Sequence, residues 1–225
     1  HYIDVSPTAT EVKLDERNCK TDGRGHHECV VAAIGYFAGV VADAEAPLWK
    51  RRNALRFLAH LVGDLHQPLH VSHTDNRGGN TVDVVFDGNK LTLHKLWDTA
   101  LIRAEEAAHF VREPTGGGGR EDDSPTWTWR ELAFAIRGAI AGQEVQDALA
   151  DVASVEAPKV AKAATATATQ WATETLKLSQ NEELFRVSDG AELPPGYAER
   201  AMPVVKQQLR RGGVRLASLL NTILE

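Results

Sequence analysis

"FLAHLVGDLHQPLH", residues 57–70, is an otherwise apolar stretch that carries three histidines and an aspartate, at His60, Asp64, His66 and His70. Such side chains are poor core material unless something pairs them, so they face either solvent or a metal. Apolar residues recur at helical spacing from 47 to 66, and the helix must stop near Gln67-Pro68 because proline cannot continue the backbone ladder. Positions four apart share a helix face, so His60 and Asp64 can reach one ion, whereas His70 lies just past the break, where the chain turns away. His66 points elsewhere and reads as support for the core or as a donor to a ligand.

The same His-x-x-x-Asp spacing returns at His94 and Asp98, where "HKLWDTALI" is expected to open another helix. His1 belongs to an extended N-terminal piece that ends at Pro7. Imidazole nitrogen and carboxylate oxygen together suit Zn²⁺, and less selectively Mn²⁺ or Fe²⁺. One such pair is weak evidence; two pairs together with His70 and His1 make a metal site the better reading. His26, His27, His73 and His109 fall in expected loops or at element ends and read as solvated.

Around this constellation the chain reads as mostly helical. Its 225 residues, 43% hydrophobic and 25% charged, suffice to bury the core of a domain. Helices are expected over 28–43, 127–142, 144–177 and 195–224, the last interrupted at Gly212-Gly213. "TDNRGGN" (74–80) is turn chemistry, and "TVDVVF", "DGN" and "KLTLH" form a β-hairpin near 81–94, turning at Asp87-Gly88. Residues 109–126 form a loop whose glycine run lacks the Lys-Ser/Thr of a phosphate-binding loop. The expected fold class is mainly α with one small hairpin.

Composition narrows the function. No run of about 18 apolar residues is present, so no membrane insertion is expected. A net charge of −6 argues against the diffuse basic footprint of a typical nucleic-acid binder, but not against an enzyme that holds phosphate with metal ions. Cys19 and Cys29 are ten positions apart and belong to no C-x-x-C motif. A local disulfide in an oxidising compartment is the preferred reading, two unpaired thiols the alternative. The chain starts at His1 without an initiator Met and reads as a mature or truncated piece.

"HYID", "RFLAHLVGDLHQPLH", "RGGN", "VVFDG", "LHKLWD" and "GGVRLASLLN", in this order, resemble the zinc-dependent S1/P1 nuclease family. The resemblance covers nearly all of residues 1–225, read as one domain. It implies the helical fold shared with zinc phospholipase C, and a cluster of up to three zincs. His1, His60 and Asp64 would ligate the first, Asp64 would bridge to a third, and His70, His94 and Asp98 would hold the second. Further ligands of the family pattern lie upstream of "HYID", so a missing N-terminal segment is expected.

The implied activity is in-line hydrolysis of phosphodiester bonds in single-stranded DNA or RNA to 5′-phosphate products, with 3′-nucleotidase activity alongside. Tyr2 matches a position that stacks on the base, Asp4 and Asn80 match positions that bond its edge, and Gly78 and Gly79 let backbone approach closely. A secreted or periplasmic monomer is expected. The alternatives are a zinc phospholipase C-like phosphodiesterase and a truncated, non-catalytic zinc-binding helical domain.

Overall fold

Apolar residues at three- and four-residue spacing dictate the first two helices of the computed structural model, which describes residues 2–6, 8–20, 28–72, 75–109 and 157–224. Helix α1, Val30–Ala42, buries Val30, Val31, Ile34, Ala38 and Val41. Helix α2, Leu48–Leu65, buries Ala54, Leu58, Leu61, Val62 and Leu65, which leaves His60 and Asp64 on another face. The chain leaves α2 through His66, and Pro68 opens a short 3₁₀ turn, Pro68–His70. The expected stop therefore falls where the proline places it.

A helix spanning Ala157–Ser179 packs on α1 with small residues at the contact; a Cβ on Gly39 would meet the Ala161 Cβ at 3.0 Å. The last helix spans Tyr197–Leu224 without a break, passing through both Pro203 and Gly212-Gly213. The expected interruption is thus corrected. Gly212 is buried against the His66 ring, and tertiary packing outweighs the roughly 1 kcal/mol per glycine by which helix propensity is lowered.

Among the described residues two hydrophobic cores result. The first joins α1, α2 and the 157–179 helix with Ile3, Val5 and the cystine formed by Cys19 and Cys29. The second gathers Val84, Leu93, Leu96, Trp97 and Leu101 around Leu184, Phe185, Tyr197, Ala201 and Val205. Within it the Trp97 indole donates to the Tyr197 hydroxyl at 3.0 Å, and that hydroxyl donates to the Leu184 carbonyl at 2.6 Å. Burial pushes the Tyr197 hydroxyl up to about 12. The turn after α2 crosses between the cores: Leu69 belongs to the second and Val71 to the first.

The expected hairpin is present as β3, Asp83–Phe86, and β4, Asn89–Thr92, with Asp87 and Gly88 both at positive φ in the turn. It is not alone. Ala191–Glu192 (β5) adds to β3 in parallel, and β1, Ile3–Asp4, pairs in parallel with β2, Val71–Ser72. Two-residue strands paired across such sequence distances carry no local alternation that could announce them. The mainly α class holds. Among the described residues no helix is long and apolar enough to cross a membrane. His1, His26, His27, His73, the His109 side chain, the 109–126 loop beyond residue 109, the 127–142 helix and the 144–177 helix before residue 157 lie outside the described residues.

Candidate metal centre

Ligand candidates converge on the seam between the two cores. His60 and Asp64 come from α2; His70 ends the 3₁₀ turn; His94 and Asp98 come from the irregular helix that follows β4. That last segment starts as a helical turn at Leu93–Lys95, capped by Thr92 whose hydroxyl accepts from the Lys95 amide. It then widens into a π-helical turn over Leu96–Ala100 before regular helix resumes at Leu101–His109. Such π turns often mark functional sites, and this one carries Asp98. The sequence spacing pointed to His94 and Asp98 as a pair but could not show the widened turn.

One metal-ligating atom from each of His70, His94 and Asp98 lies within 4.8 Å of the others. His94 Nε2 is 3.2 Å from Asp98 Oδ2, and His70 Nε2 is 3.6 Å from Asp98 Oδ1. The two imidazoles stack nearly parallel, with centroids 5.0 Å apart. His60 Nε2 and Asp64 Oδ2 are 3.0 Å apart on α2. The electrostatics joins these groups into one cluster. Burial pushes the Asp64 carboxyl up, while His70 and His60 pull it back. Burial also opposes ionisation of Asp98, but His70, His94 and Gln67 outweigh it and hold that carboxyl well below the usual carboxylate range. The bond to Asp98 in turn raises the His94 imidazole above its ordinary value.

The donor set fits a zinc ion. Both ring nitrogens of His70 are buried, and among the described residues neither has a partner within hydrogen-bond distance, the Asp98 carboxylate standing 3.6 Å from Nε2. A buried polar atom without a partner costs about 1–3 kcal/mol, which coordination would repay. His94 Nδ1 lies 2.7 Å from the Gly78 carbonyl, so Nδ1 carries a proton, and Nε2 is the nitrogen whose lone pair a metal held with Asp98 and His70 would take in place of its proton. Two imidazoles and a carboxylate make the three-ligand set of an open zinc site.

A cavity of about 660 Å³ opens beside the trio, walled by Tyr2, Asp4, Ser72, Arg77, Asn80 and His94 among others. Tyr2 is 60% exposed, so its ring face is available to a ligand. Burial pushes the Asp4 carboxyl up, against the pull of Lys20. The Asn80 amide donates to the Arg77 carbonyl at 2.9 Å. Gly78, at φ +61°, is needed because a Cβ there would sit 2.3 Å from the Leu69 carbonyl. The close approach that "GGN" permits is therefore to the His70 turn and, through the Gly78 carbonyl, to His94.

Sequence reasoning missed Arg77 on the cavity wall and Gln67 beside Asp98. A polar residue wedged between two ligand-bearing segments was the available signal for Gln67. His66 fits its expected supporting role. It is buried with Nδ1 2.7 Å from the Val62 carbonyl, and Nε2 faces the Arg215 guanidinium at 3.1 Å, which Glu174 in turn holds at 2.6 Å. Burial, with Arg215 and Arg211 nearby, pushes this imidazole down to about 4.

A mainly helical chain thus gathers histidines and aspartates at the seam of two cores, as a candidate metal site. The S1/P1 nuclease family profile matches residues 1–225, and the chain belongs to that family. Endonuclease 2 of Arabidopsis thaliana is 28% identical over 228 residues, covering 99% of this chain and 70% of the relative. Nuclease P1 of Penicillium citrinum is 28% identical over 232 residues, covering 99% and 76%. Nuclease S1 of Aspergillus oryzae is 27% identical over 229 residues, covering 99% and 71%.

Proposed function

We propose that the protein is a zinc-dependent endonuclease that hydrolyses phosphodiester bonds in single-stranded DNA or RNA, leaving 5′-phosphate ends, with 3′-nucleotidase activity at the same site. The observation that carries the proposal is the His70 imidazole, whose buried ring nitrogens make no hydrogen bond among the described residues, packed with His94 and Asp98 at the edge of a cavity. Zinc bound there would neutralise charge on the departing 3′-oxygen, while zinc on the Asp64 side would supply an acidified water as nucleophile. Family membership and the nuclease names of its relatives point to the same chemistry.

In this proposal His70, His94 and Asp98 hold one zinc, while His60, Asp64 and His1 hold another. Asp64 is shared with a third and is the carboxylate on which catalysis depends most. Tyr2 offers a ring for a base to stack on, a contact that tolerates any base. Asp4 and Asn80 bond the base edge, and the Gly78-Gly79 turn seats them beside the ligands. A base grasped in this way must leave a duplex, so single strands are preferred. Among the described residues lining the cavity Tyr2 is the one tyrosine and no aromatic cage is formed, which disfavours a choline headgroup and the phospholipase alternative. The cystine supports a secreted or periplasmic location.

The test is direct. Zinc-loaded protein should cleave single-stranded DNA, chelation should stop cleavage and zinc should restore it, with 5′-phosphate ends on the products. No zinc-dependent cleavage of any single strand would overturn the proposal.

A further inference from the structure

We infer that Gln67 is a positioning residue that ties the His70 turn to Asp98 and sets the carboxylate so that its Oδ2 faces His94. The inference rests on the zinc-site reading above. Gln67 occupies the N-cap of the Pro68–His70 turn, where its side-chain Oε1 accepts from the Leu69 amide at 2.5 Å. A backbone N–H can only donate, so this bond fixes the orientation of the carboxamide. Its NH₂ group therefore points the other way, and Nε2 donates to Asp98 Oδ1 at 2.8 Å. Held there, Oδ1 stays on the His70 side, 3.6 Å from His70 Nε2, and Oδ2 is the oxygen turned to His94 Nε2, 3.2 Å away.

Helix-capping chemistry alone does not explain a glutamine here. The residues that cap best are Asn, Asp, Ser and Thr, whose shorter side chains reach the amides of the first turn. Glutamine is a poorer cap by rank but one methylene longer than asparagine. That extra length lets one end of the carboxamide cap the turn bearing His70 while the other end reaches Asp98, 31 residues on. One side chain thus sets the spacing between ligands supplied by two segments. Pro68 contributes by fixing the backbone just after Gln67 and by presenting no competing N–H.

Gln67→Asn separates the two tasks, because it keeps a capping amide and loses the reach. In the full chain, thermal melting of the metal-free Asn variant should stay near that of the native protein. Its affinity for Zn²⁺, measured by chelator competition, should fall about 10–100-fold, the range found when outer partners of metal ligands are removed. With Co²⁺ substituted for zinc, its ligand-field absorption bands should shift, since the carboxylate ligand has lost its fixed orientation. Gln67→Ala should show the same metal defect together with a lowered melting temperature. The inference is overturned if the Asn variant binds Zn²⁺ as tightly as the native protein with an unshifted Co²⁺ spectrum. It is equally overturned if affinity falls only in proportion to melting temperature, which is the signature of a cap and nothing more. If the native protein itself binds neither Zn²⁺ nor Co²⁺ at the trio, the zinc-site reading fails and takes this inference with it.

Discussion

The two halves of the candidate centre are built by different means. On α2, His60 and Asp64 are brought together by helical spacing, and the His60 side chain is 54% exposed. Across the seam, His70 and His94 are 14% and 19% exposed, and tertiary contacts set the trio: the Gly78 carbonyl on His94, Gln67 on Asp98, and a tight turn under His70. The difference teaches that one half is a property of a single element, while the other exists only when several elements have met.

The sharpest way to break this comparison is to remove one carboxylate from each half. Asp64→Asn keeps the size of the side chain but removes the charge that we assign to two cations. It should lower single-strand hydrolysis by more than about 100-fold, beyond the range expected for an outer partner of a ligand. Zinc content should drop by more than one equivalent. Asp98→Asn should cost at most one equivalent. Metal analysis of the two variants side by side decides the matter: equal losses would erase the distinction between a shared and an unshared ligand.

A smaller effect sharpens the helical half. His66, two residues beyond Asp64, is buried neutral with its pKa at about 4, against 6.5 as the ordinary value. The unfolded chain therefore binds more protons between these values. Stability is fully present above pH 6.5 and declines as pH falls toward 4, by up to about 3 kcal/mol at 1.36 kcal/mol per unit. Chemical denaturation of chelated protein at pH 7.5 and 4.5 should show this loss, and His66→Gln should flatten it. Identical pH slopes in both proteins would mean that the imidazole is not what makes the end of α2 acid-sensitive.

The smallest effect concerns the cavity beside the trio. Asp4→Ala or Asn80→Ala should raise KM for a dinucleotide about 5–10-fold, the equivalent of one hydrogen bond worth about 1 kcal/mol, and leave zinc content unchanged. Loss of zinc in either variant would move that residue from the substrate side to the metal side.

Much of this was legible in the sequence, for reasons that follow the same division. The α2 pair is periodic, and periodicity is a local signal. The stop at Pro68 and the turn at Asp87-Gly88 are likewise local chemistry. His70 and His94 entered one constellation by residue type, but only the resemblance assigned them to the same zinc, because a fixed spacing along the chain does not tell which segments fold together. The parallel pairing of β1 with β2 and of β5 with β3 was invisible, since strands of two residues leave no pattern. Gly212-Gly213 misled because glycine's weak helix propensity was visible while the His66 ring that packs against it was not.

The crossing of the Pro68–Val71 segment from one core to the other has a consequence for folding order. A chain in which only α1, α2 and the 157–179 helix have come together offers one His-Asp pair, too few ligands for a stable zinc site. A chain in which only the second core has formed offers His94 and Asp98 without a fixed His70. Tight metal uptake would then be confined to molecules that have finished both, and bound metal would stabilise those molecules selectively over their precursors. A bound ion would act as a completion signal: chains that stalled halfway would stay metal-free and be the ones most open to proteolysis.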